Sequence, residues 1–273
     1  MKILEGKTAA ITGAGSGLGR AMALAFAQEG MKVALADVDQ KGLDETVSLL
    51  GNASLLSMKV DVSKDADVQA FCDRIEKPYL VCNNAGVSPL GAVWENSVGD
   101  WQWILGVNLW GVIHGVRAFA PRLIAQGEGH IVNTASVAGL ISPPGSGAYN
   151  VTKHAVVALS ESLHHDLQER KSAVGVSVLC PAYVPTGISR SERNRPAGLS
   201  SGEKSELTKA KEANLKKAVA SGRLTADDVA KAVVAAVKED RFYILTHPRI
   251  KGAIQARMED ILNERAPRDP LRL

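Results

Sequence analysis

Aromatic residues are scarce in this chain, only four each of Trp, Tyr and Phe, and cysteine is scarcer still at three. So few rings, with none in the most basic stretch, exclude a nucleic-acid surface built on stacking. Cys72, Cys82 and Cys180 are odd in number and lack paired spacing, so they are expected to be free thiols of a reducing compartment. No apolar run approaches the ~20 residues a membrane-spanning helix requires. The opening Met1 to Thr8 is too short and too polar for a secretion signal, and a cytoplasmic protein without membrane or nucleic-acid partners is expected. His154, His164 and His165 show no ligand spacing, so they are expected to be surface or packing residues and no metal is predicted.

The net charge of +3 is small but uneven, because Ser189 to Lys217 holds eight Lys/Arg against four Asp/Glu. That stretch is either a solvated helix or an attractor of anionic ligands.

What is present is a regular alternation. Short apolar runs at Thr8–Thr12, Lys32–Asp37, Ser54–Val60, Tyr79–Cys82, His130–Ala135, Val174–Leu179 and Phe242–Leu245 are predicted strands. Most are continuous in apolar character, as strands buried on both faces of a parallel sheet are. Between them, Gly17–Glu29 and Ala148–Arg170 carry apolar residues at three- and four-residue spacing, which predicts helices. The fold class expected is α/β, one doubly wound Rossmann-type domain over residues 1–273 with about seven parallel strands. Residues 187–223 are polar and broken by Gly and Pro, and are expected to form a lid-like insertion whose helix starts at a capping box, Ser200 to Glu203. A second box, Thr225 to Asp228, restarts regular structure.

The first predicted strand runs into Gly13-Ala-Gly-Ser-Gly-Leu-Gly19 and then into a helix. Glycine permits the tight turn and lets a pyrophosphate reach the positive helix terminus, which makes Gly13, Ser16, Gly17, Leu18 and Gly19 candidate dinucleotide contacts. The next strand ends at Asp37, where a carboxylate can accept both adenosine ribose hydroxyls and repel a 2′-phosphate. Neither Ser16 nor Val38 offers that phosphate a cation, so NAD is expected over NADP. The competing reading makes Asp37 a cap for the following helix. Asp61 and Val62 are placed to touch adenine, and Asn83-Asn84-Ala85-Gly86 to close the crevice beside the ribose.

Tyr149 and Lys153 stand one helical turn apart and share a face. An ammonium beside a phenol favours the phenolate, which brings a general acid/base toward neutral pH. Ser136, thirteen residues upstream of Tyr149, can hydrogen-bond a substrate oxygen, or else merely cap a turn. A Tyr-x-x-x-Lys pair alone is weak evidence; its place downstream of the glycine turn gives it weight.

This ordered set resembles the short-chain dehydrogenase/reductase family from Lys7 to about Leu245. The resemblance implies that Asn108 in Val107-Asn-Leu-Trp-Gly111 joins Ser136, Tyr149 and Lys153 as a catalytic residue, linking the lysine to solvent through water. It also implies that Pro181, Val184 and Thr186 contact the nicotinamide, with Ala182 standing where the family has glycine. A homotetramer or dimer is implied too, and Trp94, Trp101, Trp103 and Trp110 are either part of such an interface or core. The function expected is hydride transfer between NAD and a secondary alcohol or ketone, with Ser88, Val137, Leu140 and Tyr183 as pocket walls suited to an aromatic or alicyclic substrate. An NADP-dependent carbonyl reductase and a non-catalytic NAD-binding sensor are the alternatives.

Overall fold

A computed structural model describes residues 2–272. Seven parallel strands form one sheet: β1 (Thr8–Thr12), β2 (Lys32–Asp37), β3 (Ser54–Lys59), β4 (Pro78–Asn83), β5 (His130–Thr134), β6 (Gly175–Leu179) and β7 (Tyr243–Ile244). Their order is β3-β2-β1-β4-β5-β6-β7. The chain winds outward from β1 to β3, returns to β4 beside β1, and winds the other way. Reversal between β1 and β4 opens a crevice at the carboxyl ends of the strands, where ligands of such sheets bind.

Alternate residues of the central strands feed two separate cores. Ala9, Ile11, Val33, Leu35, Leu80 and Cys82 face α1 (Gly17–Gln28) and α8 (Ala226–Glu239), packing on Phe26, Met22, Val233 and Val237. Ala10, Ala34, Ala36, Val81 and Ile131 face the opposite side, on Phe71 of α3 (Asp65–Asp73) and Phe119 and Leu123 of α5 (Gly111–Gln126). Both faces are covered, so these strands read as continuous apolar runs. The edge strand β3 departs from this, since it pairs only with β2 and leaves Leu55 53% exposed.

The remaining helices are α2 (Gln40–Leu50), α4 (Val98–Leu105), α6 (Gly147–Glu169), α7 (Glu206–Ala220) and α9 (Ile250–Leu262). Thr225 and Asp228 form the capping box expected at α8. The box expected at Ser200–Glu203 does not start a helix. Instead Ser205 caps α7, accepting from the Thr208 N–H, while the Ser200 carbonyl and Gly202 N–H are bound by Ser97 and Asp100. The tryptophans split: Trp103 is buried, whereas Trp94 is 85% and Trp110 49% exposed. All three cysteines are buried and free. Among the described residues no helix is long and apolar enough to cross a membrane.

Candidate active site

A cavity of about 630 Å³ opens along the carboxyl ends of the strands. One end is walled by the glycine turn between β1 and α1, with Gly13, Ser16, Gly17 and Leu18 on its surface. Space dictates the glycines. A Cβ on Gly13 would lie 2.8 Å from the Ala85 Cα, and one on Gly17, at φ +53°, would meet the Thr186 side chain at 3.2 Å. Gly19 does not reach the cavity; a Cβ there would stand 2.0 Å from the Gly13 carbonyl oxygen, so it serves the packing of helix on turn. Helix α1 begins with no side-chain cap from Ser16 and no acid in its first turn. Its free N–H groups and positive dipole end therefore face the cavity unopposed, a cradle suited to a pyrophosphate.

At the end of β2, Asp37 accepts the Gly15 N–H at 2.8 Å on one carboxylate oxygen and the Asp39 N–H at 3.0 Å on the other. It is not the cap of α2, a part played by Asp39, which accepts from Gly42. Asp37 and Val38 line the cavity, as do Asp61 and Val62 after β3. Asp61 accepts from the Ser63 hydroxyl at 2.7 Å. After β4 come Asn84, Ala85 and Gly86. Asn84 ties three strands together, donating to the Thr12 carbonyl at 3.0 Å and accepting from Thr134 at 3.3 Å.

The chemical residues converge on the same cavity from β5, α6 and the turn after β6. Ser136 follows β5, and its hydroxyl accepts the Ala138 N–H at 3.1 Å and donates to the Pro181 carbonyl at 3.3 Å. It is thus a turn cap as well as a cavity residue, and its donated bond is long for a hydroxyl. Burial pushes the Tyr149 hydroxyl up to about 12, with the Ser136 side chain pulling the other way. Lys153 is 3% exposed and donates to the Thr134 carbonyl at 2.8 Å, its Nζ 5.6 Å from the Tyr149 ring centre. Burial lowers its ammonium to about 8. The residue pattern predicts a phenol drawn down by the lysine; here desolvation of the phenolate is the largest influence and the direction is upward.

Asn108 is fully buried in a π-turn, Gly106–Trp110, joining α4 to α5, and it does not line the cavity. Its side chain accepts the Val87 N–H at 2.8 Å and donates to the Val87 carbonyl at 2.9 Å, bracing the loop that carries Gly86 and Ser88. A Cβ on Gly86 would stand 3.5 Å from the Asn108 Oδ1 and 3.8 Å from the Lys153 Nζ, so asparagine and lysine flank one space.

Pro181, Val184 and Thr186 line the cavity after β6, joined by Ala182, whose N–H donates to His247 at 3.2 Å, and by Tyr183. Ser88 and Val137 also lie on the wall. Leu140 does not: it packs beside Val112 and Val156, and Ile141 takes the wall position. The three-residue 3₁₀ turn Val137–Gly139 sets this offset, which residue spacing does not reveal.

The fastening of the 187–223 segment is not visible in the sequence. Arg195 bonds Asp100 at 2.7 Å, with side-chain exposures of 11% and 4%, and its guanidinium lies 4.3 Å over the Trp103 ring. The Ser88 N–H donates to Ser191 at 3.0 Å, and Thr208 bonds Glu95 at 2.5 Å. The one local signal was Ser97-x-x-Asp100, a capping box that is present at α4 and also supplies the carboxylate for Arg195.

The profile of the family described as short chain dehydrogenase matches residues 7–197. Over 99% of both chains, the protein is similar to a short-chain dehydrogenase/reductase of Burkholderia phymatum solved in complex with NAD, with a TM-score of 0.96 and 50% identity. It is 33% identical over 279 residues to the CLA biosynthesis dehydrogenase/reductase of Lactiplantibacillus plantarum, covering 98% of this chain and 97% of that one. With the C alpha-dehydrogenase of Sphingobium sp. it shares 31% over 277 residues, 98% of this chain and 89% of the relative. The matched family, together with the glycine turn, the parallel sheet and the Tyr149/Lys153 helix, makes this chain an oxidoreductase of the short-chain dehydrogenase family.

Proposed function

We propose that this protein interconverts a secondary alcohol and a ketone with NAD rather than NADP as its cofactor, using Ser136, Tyr149, Lys153 and Asn108. The carrying observation is that Ser136, Tyr149 and Lys153 border the same continuous cavity as the glycine turn and Asp37. The N-terminus of α1 suits the pyrophosphate, and Asp37 stands where the adenosine ribose would lie, its carboxylate held by two N–H groups and unpaired with any cation among the described residues. A 2′-phosphate would meet that charge. The Burkholderia phymatum relative holds NAD, which agrees with this assignment.

When bound, the nicotinamide supplies the hydride acceptor or donor. In the oxidative direction the Tyr149 oxygen takes the hydroxyl proton of the substrate, and in reduction it returns one. Lys153 keeps a positive charge beside the phenol and favours its ionised form. Ser136, only loosely engaged with Pro181, turns its hydroxyl to the substrate oxygen and steadies the charge developing there. Asn108 holds the Val87 loop against the lysine and belongs to the route by which the lysine exchanges protons with solvent. In this reading the chain is one catalytic domain with residues 187–223 as its lid, working in the cytoplasm as a homodimer or homotetramer. The exposed Trp94 and Trp110 give subunits an aromatic surface to bury.

The test is NADH formation from NAD with aliphatic, alicyclic and aryl secondary alcohols, repeated with NADP. Turnover with NAD that exceeds NADP at least tenfold is expected. Tight NADH binding without turnover on any alcohol or matching ketone would overturn the reading in favour of a non-catalytic sensor.

A further inference from the structure

The cavity that Tyr149 borders is also a chamber walled by apolar side chains from distant parts of the chain, with Arg193, Lys211 and Asn214 set among them. Trp103 comes from α4, Leu199 and Leu215 from the 187–223 segment, and Ile250 from the start of α9. The last wall is Pro270 and Leu271, from a segment with no helix or strand of its own.

That segment is held in place by a specific anchor. Arg268 bonds both carboxylate oxygens of Asp260 through its Nε, at 2.9 and 3.1 Å, and its backbone N–H donates to the same group at 3.1 Å. Its Nη2 reaches the Ala256 carbonyl at 2.8 Å. Asp260 lies on α9 and is 4% exposed. The Arg268 side chain is itself 42% exposed, and its several bonds to Asp260 and Ala256 fasten the tail to the helix. Pro267 and Pro270 restrict the backbone on either side of the anchor. The chain is thereby folded back, and two residues beyond Arg268 it borders the cavity.

Leu271 borders the chamber yet remains 57% exposed. An apolar side chain left half in water at a cavity mouth gains only when something apolar covers it. We propose that residues 268–271 form the outer wall of the substrate chamber of their own subunit, with Leu271 contacting the part of the substrate remote from the reacting carbon. The preferred substrates are then secondary alcohols or ketones with a bulky apolar body. This specificity rests on the alcohol/ketone reading above.

The experiment compares wild type with Leu271→Ala, Leu271→Glu and Arg268→Gln on isopropanol and on a naphthyl carbinol. In parallel, calorimetry measures binding of the corresponding naphthyl ketone to the NADH-loaded protein. The ratio of kcat/KM for the bulky to the small alcohol should fall about tenfold or more in Leu271→Glu, and less in Leu271→Ala, with ketone affinity falling in step. Arg268→Gln should reproduce the loss by releasing the tail. A ratio and a ketone affinity both within about twofold of wild type in Leu271→Glu would overturn the proposal, as would an equal loss on both alcohols. If wild type oxidised neither alcohol but bound the ketone in a Leu271-dependent way, the reaction assignment would fail and the tail wall would stand.

Discussion

Lys153 donates from its ammonium to the Thr134 carbonyl at 2.8 Å, which fixes a cation beside Tyr149 in a pocket where burial disfavours both charges. With its ammonium at about 8, the lysine is still about ten parts cationic to one neutral at pH 7. The tyrosine, at about 12, is a phenol there. Oxidation needs the phenolate, so its rate should climb with pH, whereas reduction draws on the phenol already present and should not. Lys153→Met removes the cation and should push the rising limb to higher pH, with a loss of about 10²-fold or more in oxidation near neutrality. Rate profiles in both directions from roughly pH 6 to 10 check this. An unshifted limb in the variant would separate the lysine from the proton step.

In the proposed reading Asp37 sets cofactor choice through its charge. Asp37→Ala should weaken NAD by about 10- to 100-fold in kcat/KM, the worth of hydrogen bonds to a charged acceptor, and should narrow the preference over NADP. Steady-state kinetics with both dinucleotides give the ratio. A loss shared equally by NAD and NADP would instead mark Asp37 as a support for the Gly15 turn, whose N–H it holds at 2.8 Å.

The Asp100–Arg195 pair bears on how residues 187–223 are held. Burial opposes the Asp100 charge, yet the N–H groups of Gly202 and Ser97, the Ser97 hydroxyl and Arg195 hold its carboxyl below the ordinary 3.8. Its folded value is lowered, so the stability it contributes is complete above about 3.8 and drains away as pH falls through the lower folded value. Asp100→Ala leaves Arg195 with Glu192 as its one remaining carboxylate, takes the acceptor from the Ser97 and Gly202 N–H groups, and should cost about 1–3 kcal/mol. Chemical denaturation measures the loss. Limited proteolysis should find cleavage within residues 187–223 accelerated, and unchanged cleavage would show that the segment is held elsewhere.

Much of this architecture was legible because it is local. β1, β2 and the start of α1 were visible, since alternate residues such as Ala9 and Ala10 are buried on opposite faces and leave a continuous apolar signature. The glycine turn was legible for a related reason, as Gly13 and Gly19 touch and any Cβ there would collide. Where partners are distant, the sequence was mute. Nothing near Arg195 points to Asp100, ninety-five residues away, and nothing near Leu271 points to a cavity. Ser200–Glu203 has the capping-box pattern and Ser205–Thr208 does not, yet the helix starts at Ser205 because Ser97 and Asp100 claim the first segment's backbone. The placement of Leu140 failed by a single residue, because a 3₁₀ turn after Ser136 sends Ile141 to the wall instead.

In the proposed reaction Tyr149 moves the proton while its neighbours position and hold the cofactor. Tyr149→Phe removes one oxygen from the cavity wall and leaves the glycine turn, Asp37 and Lys153 in place. The most direct measurement is therefore single-turnover NADH formation by wild type and Tyr149→Phe on the best alcohol, paired with NADH affinity from fluorescence. A fall of about 10²- to 10⁴-fold in the chemical step is expected, with NADH affinity within about threefold of wild type. A variant that still turns over at a rate near wild type, with NADH bound, would contradict it and assign the proton to another group.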